Sequence, residues 1–142
     1  MSQARERPTP ALAILLVEDH ESTRREMCGI LEAEADISVV GQSSTAEEGL
    51  RKAHALHPSV VVMDLALPGM NGLAATRRLL AEAPESRILI LSNHVGPDLV
   101  KLALAAGAKG FVRKDRAFEE LIPAVRSVQQ NTRFLGQGLD EE

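Results

Sequence analysis

Five short apolar runs recur along the chain, each separated from the next by a stretch long enough for one helix. Leu12–Val17, Ile37–Gln42, Val60–Asp64, Ile88–Leu91 and Gly110–Arg113 have the length and the β-branched character of strands. Between them the apolar residues return with helical spacing. Met27, Ile30 and Leu31 mark a first helix, and Thr45 with Glu48 reads as the capping box of a second. Asn71 caps a third, whose Leu73, Thr76, Leu79, Leu80 and Ala83 share a face. A fourth runs from Pro97 to Ala106 and stops at Gly107, and a fifth presents Leu121, Ile122, Val125 and Val128. Ala13–Val17 and Val60–Met63 are apolar without alternation, as strands buried on both faces must be, so the sheet is parallel with helices on each side. The expectation is an α/β chain, a (βα)5 doubly wound five-stranded parallel sheet.

Length and composition bound the rest. The 142 residues, 44% of them apolar, suit one domain with an ordinary core. Residues 1–11, polar and with two prolines, read as a flexible leader, 12–130 as the domain, and 131–142 as a tail or the start of a linker. The single cysteine, Cys28, lies in a helical pattern and reads as a small buried thiol. The longest apolar run, Ala11–Val17, is too short to cross a bilayer and ends in two acids, so the expected location is the cytoplasm, with no membrane partner. A net charge of -4, no Trp, no Tyr and three Phe provide neither a basic stripe nor stacking platforms, so this chain alone is not expected to bind nucleic acid.

In a doubly wound sheet, right-handed crossovers bring the carboxyl ends of all strands to one edge, where ligands bind. The residues there are Glu18 and Asp19 after the first strand, Asp64 ending the third, Ser92 after the fourth and Lys114 after the fifth. Three carboxylates this close repel one another unless a cation neutralises them. An all-oxygen set suits Mg²⁺, or Mn²⁺. Lys114 and Ser92 are suited to phosphoryl oxygens, and Asp64 to acting as a carboxylate nucleophile.

These motifs, LLVEDH, VVVMDLALPGMNG, Ile88–Asn93 and AGAKGFVRKD, resemble in order and position the receiver domain of two-component response regulators, over about Leu12 to Gln130. The resemblance implies a flavodoxin-like or CheY-like fold with strand order 2-1-3-4-5. It implies that a sensor histidine kinase phosphorylates Asp64, and that Asp19, Asp64 and the Ala66 backbone carbonyl bind Mg²⁺ while Glu18 acts through a metal-bound water. Ser92 and Lys114 would take the phosphoryl oxygens. Ser92 and Phe111 would be the switch pair, altering the surface of the fourth helix, fifth strand and fifth helix for a downstream output domain or protein. Such a chain catalyses its own phosphorylation and dephosphorylation and is not expected to turn over an external substrate. It would be a monomer or a phosphorylation-dependent dimer, with the first, fourth and fifth helices as the usual surfaces.

Asp115 stands where many receivers have proline, and KGFVRKD resembles the subgroup whose members carry a LuxR/NarL-type helix-turn-helix for transcription control. No helix-turn-helix pattern follows, although Asn131–Leu135 resembles the start of the linker to one. Asn93 sits beside the implied phosphoryl position, where it bears on water access. Other readings are weaker. A haloacid-dehalogenase-type phosphatase resembles Asp-x-Asp after its first strand, whereas Asp64-Leu65-Ala66 follows the third and lacks the second acid. A degenerate receiver serving only as an interaction module would tolerate losses among the five site residues, all of which are present. Gly69 and Gly72 lack the spacing of a phosphate loop and read as a turn and a helix start. His20 and His94 have no second His or Cys at zinc-ligand spacing, and His54 and His57 read as helix-end residues.

Overall fold

The computed structural model describes residues 12–139, so the expected leader and the last three positions of the tail lie outside the described residues. Strands β1 (Leu12–Val17), β2 (Ile37–Ser43), β3 (Val60–Asp64), β4 (Ile88–Ser92) and β5 (Gly110–Arg113) alternate with helices α1 (Glu21–Glu32), α2 (Ala46–Leu56), α3 (Gly72–Glu82), α4 (Pro97–Ala105) and α5 (Ala117–Gln129). A short 3₁₀ turn, Lys114–Arg116, links β5 to α5.

The sheet is parallel throughout, in the order β2-β1-β3-β4-β5, as the resemblance implied. It is not five-stranded. Phe134–Leu135 forms β6 and pairs in parallel with β5, within the stretch read from sequence as a tail. A two-residue run has no periodicity to detect. Backbone bonds make the strand, with the Phe134 N–H donating to the Lys109 carbonyl and the Gly136 N–H to that of Phe111, both at 3.0 Å.

The period-two geometry of a strand divides the core into two layers. Leu15, Val17, Val61, Met63, Ile88, Ile90 and Phe111 face Leu50, Leu79 and Val100 of α2, α3 and α4. Ile14, Leu16, Val60, Val62, Leu89, Leu91 and Val112 face Met27 and Leu31 of α1 and Leu121, Val125 and Val128 of α5. Register aligns the carboxyl ends: Val17 lies beside Met63, Asp64 beside Leu91, and Ser92 beside Arg113. Side-chain caps fix two of the helix starts. Thr45 accepts the Glu48 N–H at 3.2 Å and Asn71 accepts that of Ala74 at 2.9 Å. Among the described residues no helix is long and apolar enough to cross a membrane.

Candidate functional site

Glu18, Asp19, Asp64, Ser92 and Lys114 lie at the carboxyl ends of their strands, whereas Phe111 lies inside β5. β1 runs directly into Glu18 and Asp19. The Glu18 N–H donates to the Ser43 carbonyl at 2.9 Å and Arg24 from α1 donates to the Glu18 carbonyl at 2.7 Å, so the acidic pair is held by its backbone. After β3 the chain turns sharply, with Gly69 at φ 76° and the Gly72 N–H returning to the Leu65 carbonyl at 2.9 Å. Here Gly72 is required: a Cβ would overlap the Asp64 carbonyl oxygen and lie 2.8 Å from Leu65 Cα.

The centre of the site is a buried charge cluster. Glu18 is 1% exposed and Asp64 3%, and Lys114 reaches both. Its Nζ donates to Asp64 Oδ2 at 3.0 Å and lies 2.7 Å from Glu18 Oε1, close in distance but bent away from hydrogen-bond alignment. Asp64 Oδ1 accepts the Ala66 N–H at 3.2 Å.

Electrostatics divides the three. Burial pushes Asp64 above the ordinary carboxylate value, and the Glu18 charge adds to it, against the pull of Lys114. Burial acts the same way on Glu18, but Lys114 and the His20 N–H outweigh it and hold the carboxyl below its ordinary value. Burial favours a neutral Lys114, but its two carboxylate partners prevail and keep it protonated.

The structure thus brings Glu18, Asp64 and Lys114 into direct contact, with Asp19 next along the chain. Asp19 Oδ1 is buried without a hydrogen-bond donor. This oxygen lies in a group with a Glu18 oxygen and a His20 ring nitrogen, all within 4.8 Å of one another, and its carboxylate donors suit a hard divalent cation such as Mg²⁺. Ser92 is fully buried and engages the next loop: its Oγ donates to the His94 carbonyl at 3.0 Å and accepts the His94 N–H at 2.9 Å. Phe111 is fully enclosed on β5.

Sequence reasoning set His20 aside for want of a partner. In the structure its Nδ1 lies 3.3 Å from both Glu18 Oε2 and Asp19 Oδ1, and its N–H donates to Glu18 Oε2 at 2.9 Å. Its place directly after the acidic pair was the signal. Arg24 gave none, because its reach to the Glu18 carbonyl depends on how α1 leaves β1. His94 contributes through its backbone. His54 instead pairs with Glu82 at 2.7 Å, and His57 ends α2 in the left-handed region at φ 49°.

Residues 14–126 match the family model described as the response regulator receiver domain. The transcriptional regulatory protein LiaR of Bacillus subtilis is 34% identical over 119 residues, 84% of this chain and 56% of that protein. The DNA-binding transcriptional activator DevR/DosR of Mycobacterium tuberculosis is 37% identical over 115 residues, 81% of this chain and 53% of that protein. The chain therefore spans little more than half the length of these curated relatives. Among solved structures, a LuxR-family two-component response regulator from Aurantimonas sp. SI85-9A1 superimposes with a TM-score of 0.86 at 33% identity, covering 89% of this chain and 90% of that one.

Proposed function

Since the chain belongs to the response regulator receiver family, in its LuxR/NarL-type subgroup, we propose that it is a phosphoacceptor switch in which Asp64 takes a phosphoryl group from a sensor histidine kinase. The observation that carries this reading is the Asp64 carboxylate, 3% exposed yet held at 3.0 Å by Lys114, which also lies against the buried Glu18 at the carboxyl edge of the sheet. A buried acid cluster costs stability, and a nucleophilic role accounts for keeping it.

An Asp64 oxygen forms the bond to phosphorus as the phosphorus–nitrogen bond of the donor breaks, and the nitrogen leaves with the electron pair. Asp19, Asp64 and the Ala66 carbonyl would hold Mg²⁺, with Glu18 acting through a water. When bound, Mg²⁺ neutralises the acids and supplies positive charge to the phosphoryl oxygens. Lys114 provides a second positive charge from within the cluster and needs only a small shift from Asp64 Oδ2 to a phosphoryl oxygen. Ser92 reaches the same group by giving up its bonds to His94. That move frees space for Phe111 and changes the surface of α4, β5 and α5.

Asp64 is both catalyst partner and acceptor, so no external substrate is turned over. The cytoplasm is the expected setting, and the names of the relatives suggest a receiver that controls a DNA-binding output. Incubation with acetyl phosphate and Mg²⁺, followed by intact-protein mass, tests the reading. One phosphoryl adduct that is lost in Asp64→Asn and on chelation supports it. Folded protein that gains no adduct would favour a receiver serving only as an interaction module.

A further inference from the structure

We propose that residues 134–139 form a strap that reads the state of Asp64, docked on β5 and the β4–α4 loop before phosphorylation and released after it. The inference rests on the phosphoacceptor reading but concerns a segment with no part in the chemistry.

The strap meets both elements that have to move. Leu135 pairs with Phe111 in register, and the Gly136 N–H donates to the Phe111 carbonyl at 3.0 Å. Leu135 and Leu139 pack on the core layer that contains the Phe111 ring. At the far end Leu139 closes a cavity of about 90 Å³ with Val95, Gly96, Pro97 and Val100. That loop begins just past Ser92 and is tied to it through the His94 backbone. Movement of Ser92 toward a phosphoryl group therefore pulls on the loop under Leu139, while movement of Phe111 disturbs the strand under Leu135.

A buried carboxylate holds the strap. Glu120 of α5 is 8% exposed, and its Oε2 accepts the Gln137 N–H at 2.9 Å and Arg116 Nε at 3.4 Å. Arg116 also donates to Gln137 Oε1 at 2.7 Å. Gly136 passes so close that a Cβ would overlap Glu120 Oε1, and Gly138 turns the chain at φ 81°. The fit is tight, but the hold is slight. β6 has two residues, Glu120 Oε1 is buried with no hydrogen-bond partner, and the cavity leaves Leu139 incompletely packed. A two-residue strand with an unpartnered carboxylate oxygen beneath it and a cavity at its far end comes free when either support shifts. Linkage requires the reverse as well: loosening the strap favours the switched state.

Amide exchange read by ¹⁵N NMR tests this on the native chain, with beryllofluoride and Mg²⁺ as the acyl-phosphate mimic. Exchange at Gly136 and Gln137 should rise about fivefold or more on mimic binding, the factor set by losing one hydrogen bond of ordinary strength. Gly136→Ala, and independently Leu139→Ala, should raise it without the mimic and tighten mimic binding. Shifts at the Ala66 and His94 amides with unchanged exchange at Gly136 and Gln137 would overturn the strap and leave the phosphoacceptor reading intact. Absence of shifts at Ala66 and His94 would overturn that reading, and the strap with it.

Discussion

Replacing Lys114 by Met keeps most of the length of the side chain and removes the one cation that, among the described residues, contacts both buried carboxylates, at 2.7 Å from Glu18 and 3.0 Å from Asp64. At an effective dielectric near 20, each attraction at that range is on the order of 5 kcal/mol. Relief from burying the ammonium returns much of this, and breaking a buried pair from one side typically costs about 3–5 kcal/mol net. For a chain of this size that corresponds to a fall in Tm on the order of 10 °C near neutral pH. The sign with pH follows from the two acids. Without Lys114, burial raises both folded-state pKa values above the unfolded ones, so stability is retained at low pH and lost as pH rises through those values. The deficit should therefore shrink on going from about pH 7.5 to pH 5. With no Trp or Tyr in the chain, urea unfolding followed by far-UV circular dichroism is the suitable assay. A variant as stable as the native chain at neutral pH, or a deficit that ignores pH, would refute the account of the cluster.

Mg²⁺ at about a hundredfold over its Kd should stabilise the native chain by about 2.7 kcal/mol, and Asp19→Asn should lose most of that in a thermal melt. An unchanged shift in that variant would remove Asp19 from the ligand set. Away from the site, Arg126 bonds Asp36 at 2.8 and 3.0 Å and holds its carboxyl below the ordinary value. That stability is present above the unfolded pKa of Asp36 and is lost as pH falls through the lower folded value, so Arg126→Gln should flatten the acid limb of Tm against pH and match it less closely toward neutrality. Gly72→Ala should cost about 1–3 kcal/mol and slow labelling by acetyl phosphate, because the new methyl presses on the Asp64 carbonyl. Gly29→Ala, in the middle of α1 with open space around it, should instead gain about 0.5–1 kcal/mol in the same melts.

The five longer strands were legible as short apolar runs, since both faces are buried, with Leu15, Val17 and Val61 in one layer and Ile14, Leu16 and Val60 in the other; the five helices were legible because each buries one face, which imposes its period on the sequence. That Glu18, Asp19, Asp64, Ser92 and Lys114 lie along one edge followed from topology, since parallel strands end together; that Lys114 joins Glu18 and Asp64 while Ser92 turns to His94 did not. β6 was not legible. Phe134 and Leu135 are too few to show a period, and their pairing depends on Gly136 fitting against Glu120, a contact between residues far apart in sequence. The direction of the Ser92 hydroxyl was also out of reach, because the backbone of the loop after β4 decides it. His20 was passed over for lack of a second nitrogen or sulfur ligand, although its neighbours are carboxylates.

Borohydride reduction tests the central claim most directly, because it converts an aspartyl phosphate to homoserine and leaves free carboxylates and phosphoserine unchanged. After incubation with acetyl phosphate and Mg²⁺, peptide mass mapping should place homoserine at position 64, with none in the chelated control. Homoserine at another aspartate, or none on protein that carries a phosphoryl adduct, would contradict Asp64 as the acceptor.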